Sequence, residues 1–222
     1  MKFDIITIFP HIFDSYLNES ILQRAQQQKL IKIKIHNPRD MVRDKHKTVD
    51  DKPYGGGPGM LMMIEPLYKT LKKIRRAKQS KVILLDPAGR QFDQAMAQKF
   101  ARLDQLIFIC GRYEGVDARL DKFVDEKISI GPYVLAGGEL AAMVMLEAIA
   151  RLVPGVVGKS ASLQEETHAQ PGYVEYPQYT RPAVFTYREK GRLKKLSVPK
   201  VLLSGNHQQI RAWREKHKKK SG

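Results

Sequence analysis

Residues 107–143, IFICGRYEGVDARLDKFVDEKISIGPYVLAGGELAAM, decide the fold class. The apolar runs Leu106–Cys110 and Lys127–Ile130 each stop at a glycine, and Gly137 and Gly138 open an apolar helix at Glu139. Glycine at a strand end lets main-chain N–H and C=O groups approach a ligand with no side chain in the way. Three such ends in succession predict one pocket built largely from main chain. On spacing alone, three ordinary strand-to-helix turns read equally well.

Working outward, Lys2–Phe9 is a predicted strand bounded by Pro10, and Ile12, Tyr16, Leu17, Ile21, Leu22 and Ala25 follow at helical spacing on one face. Ile31, Ile33 and Ile35 alternate with Lys32, Lys34 and His36, which is a half-exposed second strand. A helix with Pro66 in its first turn places Ile64, Leu67, Leu71 and Ile74 on one side and the basic Lys69, Lys72, Lys73 and Arg76 on the other. Val82–Leu85 is a short buried strand ending at DPAGR, and Asp93–Leu103 a further helix. Strands alternating with helices predict an α/β domain with a mostly parallel sheet. Leu140–Val153 is apolar on nearly every face, so it needs cover from more than one side, either sheet plus loop or a second subunit.

The composition bounds the function. With 42% hydrophobic and 28% charged residues over 222 positions, the chain has room for one sizeable core and a smaller appendage. No apolar run reaches the length of a membrane span and the N-terminus lacks a signal-peptide pattern, so the chain reads as cytoplasmic with no membrane partner. The single Cys110 sits in an apolar strand, which excludes a disulfide framework and favours a small core residue. The formal charge of +16 is uneven: residues 181–222 hold 13 Lys and Arg against Glu189 and Glu215, or +11, and the rest hold 26 basic against 21 acidic groups, or +5. A basic excess at one end is the electrostatic signature of nucleic acid or an anionic membrane, with a solvated tail as the plain alternative.

From Asn37 to Gly59 the periodicity vanishes and charge, proline and glycine take over, as in a mobile loop that contacts a ligand. GGGPGM at Gly55–Met60 lacks the Lys-Ser/Thr pair of a P-loop and the strand and spacing of a dinucleotide fold. No histidine pair has metal-ligand spacing and no G-x-S-x-G elbow occurs, so hydrolase and metal-enzyme readings recede. After Pro154 a glycine- and proline-rich stretch reads as a linker with acids Glu165 and Glu166. The chain then closes on a short apolar segment, a helix cap at Ser204 or Asn206, and a basic helix carrying Ile210 and Trp213.

The segments VDDKPYGGGPGMLMM (49–63), CGRYEGVDARL (110–120), SIGPYVLAGGELAAM (129–143), YPQYTRP (176–182) and VPKVLLSGNHQQIRAWR (198–214) together resemble, in order, the motif series of the bacterial tRNA (guanine-N1)-methyltransferase family. The resemblance implies a SPOUT-class α/β fold, a mostly parallel sheet with a C-terminal deep trefoil knot, and a small helical C-terminal domain. It divides the chain into a methyltransferase domain (1–158), a linker carrying a catalytic carboxylate (159–182) and a small basic tRNA-binding domain (183–222). It implies S-adenosylmethionine as methyl donor, leaves a Mg2+ dependence open with no protein metal ligands, and implies a homodimer whose subunits share the active site. The substrate would be the anticodon stem-loop of tRNA, methylated on N1 of the guanosine at position 37, just 3′ of the anticodon.

By the same resemblance Leu85, Asp86, Pro87, Gly111, Glu114, Ile130, Gly131, Pro132, Tyr133, Val134, Leu135, Gly138 and Leu140 would surround the donor, with Glu114 facing its ammonium group. Asp50, Gly57, Gly59, Arg181, Asn206, His207, Arg211 and Arg214 would contact tRNA; Asp50 is also a simple turn former. Methyl transfer to guanine N1 needs a base for the N1 proton and a cation for charge on O6. Arg151 matches the family's arginine, and Glu166 stands where the family has an aspartate, with Glu165 and His168 as alternatives and solvated linker acids as the plain reading. Pro132 stands where the family commonly has an acid, and the chain ends sooner after the SGNH helix than the family does. A methyltransferase of another RNA on the same fold, or a catalytically silent RNA-binding dimer, remain open at this point.

Overall fold

The computed structural model describes residues 1–158, 166–168 and 172–220. Two compact units, Met1–Ser160 and Ala161–Gly222, make up the chain.

In chain order the first unit carries strands β1 (Lys2–Ile6), β2 (Lys32–His36), β3 (Asp50–Asp51), β4 (Leu61–Met62), β5 (Ser80–Gln91), β6 (Gln105–Cys110) and β7 (Glu126–Ser129). Its helices are α1 (Asp14–Leu17), α2 (Ser20–Gln27), α3 (Ile64–Lys73), α4 (Gln94–Phe100) and α5 (Glu139–Ala150). Five strands form one sheet in the order β2-β1-β6-β5-β7, with every pair parallel. Alternation along each strand divides its apolar side chains between two cores. Phe3, Ile5, Ile83, Leu85, Leu106 and Phe108 meet α2, α4 and α5 on one face. Ile6, Val82, Leu84, Ile107 and Ile109 meet α3, Val49, Met62 and Leu120 on the other. That two-sided burial is why β6, QLIFIC, is apolar in almost every position.

Two departures from the sequence reading have local causes. The helix expected through Ile12–Ala25 is broken into a 3-10 turn at Pro10–Phe13, then α1, then α2, because Ser20 adopts a left-handed φ of 48° and the Asn18 side chain bonds back to the Asp14 carbonyl. Ile12 and Tyr16 consequently stay exposed. The strand expected to stop at Leu85 runs on to Gln91 through a bulge, since Ile128 of β7 pairs first with Leu85 and then with Arg90. Pro87, with no N–H to offer a ladder, sits in that bulge, and Gly89 presses on the Lys127–Ile128 peptide, where a Cβ would lie 2.5 Å from the Ile128 nitrogen. On α5, for which the sequence reading asked cover from more than one side, Leu140 and Val144 are 55% and 49% exposed.

The second unit contains β8 (Tyr173–Val174), paired antiparallel with β11 (Lys219–Lys220), and a hairpin of β9 (Val184–Glu189) and β10 (Arg192–Ser197). Two helices follow the hairpin, α6 (Lys200–Leu203) and α7 (His207–His217), the latter capped by Asn206, whose side chain accepts from the Gln209 amide. The sequence reading expected helix alone in 183–222 and did not include the hairpin. Its turn is Lys190-Gly191, both at positive φ (50° and 77°), the geometry that suits the twist of a two-residue hairpin. None of the described residues of this unit is buried.

Candidate active site

The bulge of β5 and the ends of β6 and β7 surround a cavity of about 350 Å³. Its walls include Leu85, Asp86, Pro87, Gly111, Glu114, Ile130, Tyr133, Val134, Leu135 and Gly138, all of them expected around the donor. Gly131, Pro132 and Leu140 are not on its wall, and Leu140 instead faces outward from α5. A ligand site outside the carboxyl ends of parallel strands is where an open α/β sheet offers an opening between diverging connections.

Main chain builds much of the enclosure. Gly138 N–H donates to the Gly111 carbonyl at 3.0 Å, so the end of the 130–138 loop closes onto the end of β6. A Cβ on Gly138 would lie 2.8 Å from Cys110 Cα, which explains the glycine. Cys110 itself is fully buried; burial pushes its thiol pKa well above the ordinary value and the Glu139 charge adds to this, so it is a core residue rather than a nucleophile.

A buried polar relay braces the same loop. Thr7 Oγ1 donates to Glu139 Oε1 at 2.7 Å, and Arg112 Nε donates to Glu139 Oε2 at 2.9 Å. Arg112 Nη1 reaches the Ala136 carbonyl at 3.3 Å, and its guanidinium lies 4.7 Å from the centre of the Phe9 ring. Gly137 is required here because a Cβ would collide with the Arg112 side chain. Sequence reasoning missed Thr7, Arg112 and Glu139. The available signal was Glu139 itself, an acid opening an apolar helix, since a buried carboxylate calls for a cationic or hydroxyl partner.

The loop expected to be mobile is anchored at its glycine-rich end. β3 and β4 pair antiparallel, Glu114 N–H donates to the Met60 carbonyl at 3.0 Å, and Met62 N–H donates to the Gly115 carbonyl at 3.0 Å. Gly59, at φ 76°, admits the Glu114 side chain, which a Cβ would meet at 2.5 Å. Gly57, at φ 124°, has only Pro53 nearby. This docking brings half-buried Asp50 toward the cavity wall, beside Tyr113 and Arg39: partial burial and the Asp50 charge raise the Tyr113 pKa against the opposing effect of Arg39. Tyr113 also holds a left-handed φ of 60°, uncommon for an aromatic residue. At another edge of the cavity Lys127 is held by Asp121 at 2.7 Å and Asp86 at 3.8 Å; its hydrogen bond to Asp121 raises its pKa.

Arg151 directly follows α5 as its C-cap, in the first unit, whereas Glu166 and His168 belong to the second; Glu165 lies outside the described residues. Arg181, Asn206, His207, Arg211 and Arg214 are all exposed on the second unit. Among the described residues no group of three or more His, Cys, Asp or Glu is arranged to hold a metal ion, and no helix is long and apolar enough to cross a membrane.

A five-stranded, wholly parallel sheet with a cavity beyond its strand ends makes this an α/β protein with room for a small ligand at the carboxyl ends of its strands. A family model described as tRNA (Guanine-1)-methyltransferase TrmD matches residues 1–222. Curated relatives named tRNA (guanine-N(1)-)-methyltransferase include those of Geotalea uraniireducens (51% identical, covering 97% of this chain and 85% of the relative), Dictyoglomus turgidum (49%, 97% and 84%) and Enterococcus faecalis (46%, 97% and 85%). The chain belongs to the tRNA (guanine-1)-methyltransferase family.

Proposed function

We propose that this chain transfers a methyl group from S-adenosylmethionine to N1 of the guanosine at position 37 of tRNA. The observation that carries the reading is the cavity at the bulge of β5 and the ends of β6 and β7, in a chain that the family model matches throughout. When bound, the donor supplies an electrophilic methyl group on its sulfonium. Gly111, Ile130, Tyr133, Val134, Leu135 and Gly138 would cradle its adenosine, mainly through backbone groups and the apolar walls of Leu85 and Ile130, while Glu114 would face its ammonium group. The fit rests on Gly111, whose missing Cβ would stand against Val116 and the Leu85 carbonyl on the cavity wall, and on the close contact of Gly138 with Cys110 that brings the 130–138 loop onto the end of β6.

The remaining chemistry falls to side chains. Asp50 would accept hydrogen bonds from the neighbouring base, Arg151 would offset charge developing on guanine O6, and Glu166 would take the N1 proton. In this reading residues 1–158 bind the donor, 159–182 carry the base and 183–222 hold the tRNA through their +11 charge. The trefoil knot is part of the proposal, supported by the return of the 130–138 loop against the end of β6. So is the homodimer with a shared site, supported by exposed Leu140 and Val144 on α5 and by exposed Phe9 and Ile12 in the first unit. Chelation and add-back of Mg2+ would decide the metal dependence that the resemblance leaves open.

The test is transfer of labelled methyl groups to unmodified tRNA transcripts that differ only in having guanosine or adenosine at position 37. Incorporation into the first alone is expected. Equal incorporation into both, or none into either, would defeat the reading.

A further inference from the structure

The second unit has a cavity of its own, about 380 Å³, between the YPQYTRP segment and helices α6 and α7. Tyr176, Tyr179, Trp213, Arg181, Arg214 and Ile210 are among its walls. The aromatic groups are ordered against one another: Tyr179 meets Trp213 edge-on at 6.3 Å, and Trp213 stacks at 4.0 Å on His217, which covers one indole face. Arg214 lies 4.9 Å from the centre of the Tyr176 ring. Tyr179 is nonetheless half exposed, as is unusual for an aromatic ring with this many neighbours.

We propose that this cavity takes a single unpaired nucleotide of the tRNA, other than the guanosine that receives the methyl group, with its base against Tyr179 and Trp213 and its phosphate toward Arg181 and Arg214. The inference rests on the tRNA reading above. Three features favour a nucleotide. The volume suits a base with its sugar, the walls combine aromatic faces with two guanidiniums, and the surrounding tail carries +11. Aromatic rings supply stacking that every base can use, and guanidiniums add phosphate contacts and stacking planes of their own. A base lodged here would fix the register of the RNA while another base goes to the donor cavity of the first unit.

Trp213 is the only tryptophan of the chain, so the cavity reports on itself. Titrating the full-length protein with unmodified tRNA should quench tryptophan fluorescence, saturating at the same concentration as filter binding. Tyr179→Ala should weaken tRNA binding about 5- to 100-fold, while methyl-donor affinity is unchanged and Tyr179→Phe restores tRNA affinity. Full tRNA binding with no fluorescence change, and with Tyr179→Ala within twofold of the parent, would overturn the nucleotide site and leave the methylation reading standing. No tRNA binding by the parent protein would overturn both. If Tyr179→Ala loses circular dichroism signal, comparison of Tyr179→Phe with Tyr179→Leu decides instead, because leucine keeps apolar bulk and lacks a stacking face; equal affinities would sink the proposal.

Discussion

Replacing Glu139 by glutamine tests whether the buried relay sets the shape of the donor site. Glu139 is 1% exposed and its two carboxylate oxygens accept from Thr7 and Arg112 at 2.7 and 2.9 Å. Glutamine is nearly isosteric: its oxygen still accepts from Arg112 and its NH2 can donate to the Thr7 hydroxyl, which both donates and accepts, so the change removes the negative charge opposite the buried guanidinium. A hydrogen bond to a charged group contributes about 1.5–3 kcal/mol, and the guanidinium loses its charge partner as well. Arg112 also holds the Ala136 carbonyl, so relaxation of its side chain releases the 130–138 loop. If the loop must re-form its bonded shape to bind the donor, the same free energy appears in binding, giving donor affinity about 10- to 100-fold weaker. Melting should fall by about 4–10 °C if the first unit behaves as a domain of ordinary size. Calorimetric titration with S-adenosylmethionine and thermal scans without it separate the two effects. Lowered melting with donor affinity within twofold of the parent would refute the bracing argument and leave Glu139 as a purely structural residue.

Four further outcomes are expected. Arg151→Ala and Glu166→Gln should each slow single-turnover methyl transfer, the latter by about 10²- to 10⁴-fold, with donor affinity measured by calorimetry unchanged; a variant retaining full turnover removes that residue from the chemistry. Gly89→Ala should fail to give stable protein, because the added methyl group meets backbone nitrogen at 2.5 Å and neither strand can give way, and a urea midpoint equal to the parent would contradict this. Burial alone would raise the Asp4 pKa, but hydrogen bonds from His36, Gln105 and Lys2 outweigh it and hold the pKa below the ordinary value. The stability from Asp4 is therefore complete above about pH 4 and lost as pH falls through the depressed folded value, and Asp4→Asn should flatten the urea midpoint measured against pH in that acid range. Finally, Val144→Glu should yield a monomer by light scattering if the exposed face of α5 is the subunit contact, whereas an unchanged mass moves the contact elsewhere.

How much of this was legible in the chain differs from element to element. The apolar runs of β1 and β6, buried at nearly every position, made a parallel α/β sheet readable, because a strand covered on both faces has little room for polar side chains. The glycines at strand ends likewise suggested main-chain walls, although the neighbours that require them, Cys110 for Gly138 and Arg112 for Gly137, are tertiary. The motif series carried the family.

The relay of Thr7, Arg112 and Glu139 was decided only in three dimensions, since its members are up to 132 positions apart and nothing in their immediate sequence states the pairing. The same holds for the continuation of β5 past Pro87, where a bulge removes the ladder bond that proline would have forbidden, and for the anchoring of the 37–59 loop on Glu114. Sequence by itself determined which strands run through the core and which end of the chain is basic, because each follows from the chemistry of single residues and short periods. Tertiary structure alone decided which buried charge meets which partner, since that depends on the order in which strands lie side by side, β2-β1-β6-β5-β7, and no local pattern encodes that order.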